Sequence, residues 1–416
     1  MKFNRTSNFI YTLVVVSFLL VASAWSATDK ALYNFGSQPS SGLITDVQGN
    51  AYGTTSGGPN NSGTVYEVSP ATGYHLLYVF HSKPGTGGWR PQGNLVLDSA
   101  GNLYGTTVYG GANNKACANQ GCGVIFELSP PSNGGLWTET VLYSFCSQAN
   151  CSDGANPQAG VVFDSTGNLY GTTEVGGLAS NAYGTVFKLS LSESGWIESV
   201  IYDFAGGSED DGASPESGLT FDAAGNLYGT TMGGGETGNG TVFELSPVGS
   251  GWVESVLYTF KSLHDGIVPV AGVILDFEGN LYGTTTYGGA GHAGTVFELA
   301  PNGDGVWTET ILHDFGGGND GDDAMAAVVF DSSGNLYGTT VYGGSSNSCG
   351  GYGCGTVYKL TPQGGEWIES IFRIPANSNL GNGPSTPVTL DSAGNVYAMT
   401  TSGGNSSNGV LFEIRQ

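Results

Sequence analysis

Residues 225–231 read Gly-Asn-Leu-Tyr-Gly-Thr-Thr, and this phrase decides the fold because the chain repeats it. It recurs six more times, identical or nearly so, beginning at Gly49, Gly101, Gly167, Gly279, Gly334 and Gly394. The seven copies are spaced 52 to 66 residues apart. A fixed phrase at such a period predicts a series of equivalent structural units.

Each repeat contains four short segments that favour β-strands. The first leads into an aspartate, as in residues 161–164, and the second is the repeated phrase itself. The third resembles residues 240–245, and the fourth carries Trp-x-Glu before an apolar tail, as in residues 252–260. All four are rich in β-branched and aromatic residues, and none shows a sustained helical period.

The turn between the first two segments has the form Asp-x-x-Gly-Asn, as from Asp222 to Asn226. An aspartate can accept hydrogen bonds from the backbone of its own turn, and glycine tolerates the left-handed conformation. The pattern therefore predicts a tight hairpin in every repeat. The seven aspartates are interpreted as structural residues and not as catalytic ones.

Four antiparallel strands per repeat, seven repeats and no helices predict a seven-bladed β-propeller. An open β-solenoid is the alternative, although its repeats are usually shorter. The two ends of the chain favour a closed ring. Residues 32–35 resemble a fourth strand and residues 409–414 a third strand. Pairing of residues 31–35 with residues 409–414 would close the ring with three strands from the end of the chain and one from its beginning.

The N-terminus has the features of a secretory signal peptide. Lys2 and Arg5 precede an apolar run over residues 9–22, and small residues allow cleavage after Ala24. Residues 1–24 are therefore predicted to be the signal peptide and residues 25–416 a single domain. No second apolar run has the length of a membrane span, so we expect a mature chain without one. We expect a monomer that is secreted, either extracellular or periplasmic.

Charge narrows the classes of partner. The chain has 35 acidic residues against 11 lysines and arginines, which gives a formal net charge of −24. Nucleic acids and anionic membranes are poor partners for such a chain, since both attract mainly lysine and arginine. Neutral polymers, cations and other proteins remain as partners, although the charge also serves solubility.

The repeated phrases Gly-Asn-Leu-Tyr-Gly-Thr-Thr, Gly-Thr-Val-Phe-Glu-Leu and Trp-x-Glu resemble those of a bacterial family, the choice-of-anchor tandem repeat GloVer-containing proteins. The resemblance extends from about residue 31 to residue 416. It implies an exported bacterial protein, often tethered by a C-terminal sorting signal. Residues 412–416 still lie inside a repeat, so we expect free secretion or periplasmic residence here. The resemblance implies no activity for particular residues.

In a propeller, the loops after the second and fourth strands share one face, which we call the loop face. Most of the irregular sequence falls there, and functional residues usually lie in such loops on a rigid scaffold. All six cysteines map to this face, and they form three pairs that are close in sequence: Cys117 with Cys122, Cys146 with Cys151, and Cys349 with Cys354. An even number in an exported chain predicts disulfides that stiffen loops, with zinc binding as the alternative.

Acidic clusters also map to the loop face. Asp210 and Asp211 lie in one loop, and Asp320 and Asp322 lie in another. Calcium prefers several carboxylate and carbonyl oxygens, so these four residues are candidate calcium ligands. The alternative is that they are solvated acidic loops, and no other cofactor is expected.

Aromatic residues supply the candidate ligand-binding surface. Trp89 lies beside Arg90, and Tyr109, Tyr287 and Tyr342 each precede a Gly-Gly pair. Flat rings with polar neighbours suit the apolar faces of sugars. The tyrosines recur at equivalent positions, so packing between blades is an alternative for them. Trp89 has no equivalent in the other repeats.

Three functional hypotheses remain. The first is a non-catalytic exported binding module for a glycan or a protein. The second is a carbohydrate-active hydrolase or lyase at the channel mouth that gathers several of the five histidines, His75, His81, His264, His292 and His313. The third is a structural cell-surface component stabilised by calcium. No motif for a serine nucleophile, a zinc protease or a phosphate loop is present, so no catalytic residue is assigned.

Overall fold

The computed structural model describes residues 23–24, 28–81, 87–112, 117–132, 136–178, 182–207, 210–303, 305–345, 349–376 and 378–416. Of the predicted signal peptide, residues 1–22 lie outside the described residues. The described residues form seven blades of four antiparallel strands each, and the strands of a blade are adjacent in chain order except in the last blade, whose fourth strand comes from the start of the chain. The predicted seven-bladed propeller is confirmed.

The blades are numbered in chain order, and their strands are called first to fourth. Blade 1 comprises Ile44–Thr45, Ala51–Thr55, Thr64–Ser69 and Gly73–Val79. Blade 2 comprises Val96–Leu97, Leu103–Thr107, Val124–Ser129 and Thr138–Ser144. Blade 3 comprises Val162–Phe163, Leu169–Thr173, Thr185–Ser192 and Gly195–Asp203. Blades 4 and 5 comprise Thr220–Phe221, Leu227–Thr231, Thr241–Val248 and Gly251–Thr259; and Ile274–Leu275, Leu281–Thr285, Thr295–Pro301 and Trp307–Asp314. Blade 6 comprises Val329–Phe330, Leu336–Thr340, Thr356–Gln363 and Glu366–Arg373, with Ser23–Ala24 parallel to its fourth strand.

Blade 7 is built from both ends of the chain. Its first three strands are Thr389–Leu390, Val396–Ser402 and Val410–Arg415, and its fourth is Thr28–Asn34. Thr28 pairs with Arg415, and Asn34 pairs with Val410. The Phe35 amide then donates to the Gly409 carbonyl at 3.0 Å. The predicted closure by three strands plus one is therefore confirmed.

Short elements occupy the loops between strands. Two-residue strands pair Gly88–Trp89 with Tyr109–Gly110, Gly212–Ala213 with Gly233–Gly234, and Gly321–Asp322 with Tyr342–Gly343; in blade 7, Asn382–Pro384 pairs with the second strand. Single 3₁₀ turns occur at Pro59–Asn61, Cys117–Asn119, Ala149–Cys151 and Cys349–Gly351. Among the described residues, no helix has the length and apolar character needed to span a membrane.

Packing between neighbouring blades explains the repeated residues. The third strand of blade 4 buries Val242, Phe243 and Leu245 completely. The ring of Phe204, which follows blade 3, meets the Phe243 ring edge to face with centroids 5.2 Å apart. Glycine is needed at Gly229 because a Cβ there would lie 2.6 Å from the Phe243 ring. Each blade therefore has a core that its neighbour completes.

The predicted hairpin is present in each blade, and the turn at Asp222 shows its chemistry. One carboxylate oxygen of Asp222 accepts the amides of Ala224 and Asn226, at 2.9 and 2.8 Å. The other accepts the Asn226 side chain and the Tyr228 hydroxyl, at 2.8 and 3.2 Å. Gly225 takes a φ of 90°, which favours glycine. The structural interpretation of these aspartates is confirmed.

We expect Asp222→Ala to lower the free energy of unfolding by about 1–2 kcal/mol, because four hydrogen bonds to one carboxylate are lost on a partly solvated turn. Urea denaturation of the mature chain measures the change. Glu193→Ala is the matched control, since Glu193 is an exposed acid in a different turn. Equal midpoints for the two variants would contradict the structural role.

Candidate functional site

Residues in or just before the first strand of each of the seven blades line a central channel of about 430 Å³. One residue from each blade lies at the equivalent position of its wall: Ser40, Gln92, Gln158, Glu216, Val270, Met325 and Ser385. Each follows a proline, or an alanine in blade 6. The wall is polar over blades 7 and 1 to 4, and apolar over blades 5 and 6.

The carboxylates of Glu174 and Glu216 interact at one side of this channel. The Gln92 amide donates to Gln158 at 2.9 Å, and the Gln158 amide donates to Glu174 at 2.6 Å. Burial raises the pKa of Glu216, and the charge of Glu174 raises it further. This pair was not predicted from the sequence, because the two residues come from different blades. The available signal was that neither position carries an acid in another repeat.

The first aromatic platform combines Trp89 and Tyr109, whose ring centroids lie 4.7 Å apart with a 34° tilt. The Arg90 guanidinium lies 5.7 Å from the centre of the Tyr109 ring, within the range of a cation–π interaction. The indole of Trp89 donates to the Gln120 carbonyl at 3.2 Å. The structure therefore brings together three of the five residues predicted to bind a ligand.

The second platform lies across the boundary of blades 5 and 6. Tyr342 and Tyr352 have ring centroids 5.6 Å apart, and their exposed fractions are 39% and 69%. Tyr287 is 45% exposed, and its pKa is raised by the charge of Asp323, by burial and by the nearby Tyr342 and Asp322. Tyr287 and Tyr342 are thus exposed and do not pack in a blade core. Tyr352 was not predicted, because no repeat has an aromatic residue at a position that would indicate it.

Disulfides fix the loops that support both platforms. The three predicted pairs are confirmed, and the chain has no free cysteine. The loop closed by Cys117 and Cys122 contains Gln120, which accepts the hydrogen bond from Trp89. The loop closed by Cys349 and Cys354 contains Tyr352. Two of the three disulfides therefore hold a residue that contacts or forms an aromatic platform.

The four candidate calcium ligands lie in different surroundings. Asp211 accepts the amides of Ala205 and Gly212, both at 2.6 Å, and Asp320 accepts the amides of Gly316 and Gly321, at 2.8 and 2.7 Å. Both aspartates therefore stabilise their own loops. Asp210 is exposed, and burial raises the pKa of Asp322. Calcium binding at these residues stays a prediction.

All five histidines lie in the described ranges, and none of them lines the central channel. His75 and His313 belong to fourth strands, at the outer edge of their blades. His81, His264 and His292 are exposed. The convergence of histidines on the channel that the enzyme hypothesis required is not formed.

Comparison with known proteins supports the repeat assignment. A family model described as the Gloeobacter/Verrucomicrobia repeat matches residues 14–223, 180–351 and 221–416. No curated protein matches the chain.

A solved structure described as a candidate 6-phosphogluconolactonase from Bacteroides uniformis is similar over 81% of this chain and 84% of that chain, with 14% identity and a TM-score of 0.50. Another, described as a candidate glucose dehydrogenase from Thermus thermophilus, covers 94% of this chain and all of that chain, with 12% identity and a TM-score of 0.41. At these identities the likeness concerns the fold alone.

Proposed function

The chain belongs to the Gloeobacter/Verrucomicrobia repeat family, and we propose that this member is an exported, non-enzymatic propeller that binds a neutral glycan on its loop face. The observation that carries the proposal is the pair of aromatic platforms, of which the first is half-buried and the second exposed. One is Trp89 with Tyr109, and the other is Tyr342 with Tyr352. Rings that recur elsewhere in the blades, such as Phe243, are fully buried. Export is supported by the three disulfides and by the N-terminal segment.

The chemistry of the platforms suits a sugar more than a charged polymer. Aromatic faces pack against the apolar faces of sugar rings, while Asp322 and Asp323 near Tyr287 can accept hydrogen bonds from hydroxyl groups. A net charge of −24 repels anionic polysaccharides. A neutral glycan offers apolar ring faces and hydroxyl groups, and it carries no negative charge.

The arrangement of the platforms favours a long ligand. They lie at blades 2 and 6, so blades 3 to 5 separate them on one side of the ring and blades 7 and 1 on the other. A polymer that crosses the channel mouth can reach both platforms, and its second contact is then intramolecular. A short oligosaccharide reaches only one. We therefore expect affinity to increase with glycan length.

Replacing an aromatic residue should weaken binding to insoluble neutral polysaccharides. We expect Trp89→Ala and Tyr342→Ala each to weaken it by about 10-fold, and the double variant to abolish depletion from solution, because aromatic truncations at binding sites cost about 1–2 kcal/mol or more. Phe277→Ala is the matched control, since Phe277 is a fully exposed aromatic residue on the opposite, hairpin face. Equal binding by the native chain and all four variants would contradict the proposal, and capture of a protein without any glycan would favour a protein ligand.

The acidic pair at the channel supports a second candidate, a carbohydrate-active enzyme. A buried carboxyl with a raised pKa beside a second carboxylate is the pattern of a general acid and its partner. Glu216 has the raised pKa, and Glu174 is the second carboxylate. The binding assay distinguishes the candidates if released soluble fragments are also measured. Release that disappears in Glu216→Gln would show the enzyme. Depletion without release would show the binding module.

A further inference from the structure

Three potential metal ligands converge between blades 5 and 6, outside both aromatic platforms. His313 comes from the fourth strand of blade 5, Asp320 from the loop that follows it, and Glu369 from the fourth strand of blade 6. The His313 Nε2 atom lies 3.5 Å from an Asp320 oxygen and 3.4 Å from the Glu369 Oε1 atom. All three donor atoms lie within 4.8 Å of one another.

Equivalent positions in other blades show what is unusual here. Between blades 4 and 5, the Tyr258 hydroxyl bridges the two carboxylates, at 3.1 Å from Asp265 and 2.9 Å from Glu309. Tyrosine also holds this position at the two preceding interfaces, as Tyr143 and Tyr202. Between blades 5 and 6, His313 takes the place of the tyrosine, while both acids are kept as Asp320 and Glu369.

The replacement leaves the buried His313 Nε2 without a hydrogen-bond partner. The Glu369 Oε1 is also buried and unpaired, as are the Oε1 atoms of the equivalent Glu254 and Glu309. The Glu369 side chain is only 5% exposed, and its free oxygen faces the imidazole nitrogen. Buried polar groups are rarely left unpaired, and the unpaired His313 Nε2 distinguishes this interface from those with a hydrogen-bonded tyrosine, so this nitrogen calls for a further partner.

The spacing of the donors fits a small divalent cation. Zinc bonds nitrogen and oxygen ligands at about 2.0–2.2 Å in a tetrahedron, so neighbouring ligand atoms should be about 3.3–3.5 Å apart. The two distances from His313 agree with that spacing. Calcium, in contrast, requires six to eight oxygen ligands. An imidazole nitrogen with two carboxylates is a donor set for zinc and related metals.

The cluster is acidic and lies close to the surface. Two carboxylates flank the imidazole Nε2, and Arg373 is a further positive charge that acts on Glu369, after that of His313. The Arg373 side chain also donates to the Asn319 carbonyl at 2.6 Å. His313 and Asp320 keep 18% and 27% of their side chains exposed, so a small rearrangement at the surface would admit an ion.

We propose that His313, Asp320 and Glu369 bind one zinc-type divalent cation, with a water molecule as the fourth ligand. The site joins two blades, because two of its ligands precede blade 6 and the third belongs to it. Its fourth position stays open, which is the arrangement of reactive zinc sites more than of closed structural ones. The proposal is independent of glycan binding.

Titration of the oxidised, chelator-treated mature chain with Zn²⁺ or Co²⁺ alone tests the site. We expect one equivalent of Zn²⁺ to bind, and Co²⁺ to give the visible absorption of a low-coordinate site. His313→Tyr reproduces the residue found between other blades, so it should fold normally and weaken binding by more than about 100-fold, since losing even a group that supports a ligand costs about 10–100-fold. Glu369→Gln should act in the same direction. Glu309→Gln is the control at an equivalent position and should leave binding unchanged.

Three results would overturn the proposal. The native chain could fail to bind a stoichiometric equivalent of Zn²⁺, which would leave His313 as a positively charged bridge between the two acids. Folded His313→Tyr and Glu369→Gln could both bind as tightly as the native chain. Finally, Ca²⁺ at equal concentration could displace Zn²⁺, which would assign the carboxylates to a calcium site.

Discussion

Deleting residues 28–36 is expected to prevent the mature chain from forming a stable ring. The deletion removes the whole fourth strand of blade 7, Thr28–Asn34, and the fully buried Phe35. It also removes Tyr33, whose ring stacks on Tyr74 of blade 1 with centroids 3.9 Å apart. Much of the contact between the last and first blades is thus lost, and Val410–Arg415 becomes an unpaired edge.

The effect should be large compared with the total stability of the protein. Burying one large apolar side chain contributes about 1.5–3 kcal/mol, and the deletion exposes several of them while the whole domain is stable by only about 5–15 kcal/mol. We expect aggregation on expression, or a melting temperature at least about 10 °C lower, measured by circular dichroism. An unchanged melting curve would contradict the closure.

A circular permutant separates loss of the strand from loss of its position. Thr28 lies opposite Arg415, next to the C-terminus, so a short turn can connect Gln416 to residue 28. Blade 3 uses such a turn between Ser192 and Gly195. A chain that runs from residue 37 to residue 416 and then from residue 28 to residue 36 should recover the native melting temperature, to within a few degrees. A permutant as unstable as the deletion would show that the strand requires its native connection.

The sequence predicted the fold well because the decisive residues act locally. Asp222 and Gly225 specify one turn whatever the rest of the chain does, and the same turn occurs seven times. Closure was predictable because the two ends carried complementary strand types. The tryptophan of the fourth strand recurs in the Trp-x-Glu phrase, and Trp252 packs edge to face on Tyr170 of the preceding blade, at 5.9 Å.

The candidate sites were less predictable because they depend on contacts between blades. Glu174 and Glu216 meet only after the ring forms. Recurrence of tyrosine before Gly-Gly could not reveal whether Tyr342 is exposed or packed. His313 did carry a signal, since tyrosine holds its position in five other repeats, but alignment by strand register was needed to read it.

Buried glutamates between blades should make the protein more stable in mild acid than at neutral pH. Burial raises the pKa of Glu198, Glu254 and Glu309 to about 7, from an ordinary value of 4.5. Neighbouring acids add to the shift: Asp153 and Asp203 at Glu198, Asp211 at Glu254, and Asp265 and Asp314 at Glu309. Tyrosine hydroxyls oppose it by hydrogen bonding, from Tyr143, Tyr202 and Tyr258.

A carboxyl with a raised pKa binds its proton more tightly in the folded state than in the unfolded state. Folding is therefore favoured as the pH falls from about 7 to about 4.5, and this stabilisation is lost as the pH rises through 7. The hairpin aspartates act in the opposite sense at lower pH. Hydrogen bonds hold the pKa of Asp164 at about 2, so the stability it contributes is lost below its unfolded value of 3.8. Maximum stability should consequently lie near pH 5.

Melting at pH 5 and pH 8 measures the contribution of the glutamates. After allowance for their partial exposure, the three should together cost about 3–6 kcal/mol at pH 8, which corresponds to a melting temperature about 4–7 °C lower than at pH 5. The triple variant Glu198→Gln, Glu254→Gln and Glu309→Gln should remove most of this difference, because an amide of the same shape carries no charge to desolvate. Its melting temperature should rise at pH 8 and stay nearly unchanged at pH 5. A triple variant with the same pH dependence as the native chain would place the titrating groups elsewhere, and a native chain that melts higher at pH 8 than at pH 5 would contradict the direction of the effect.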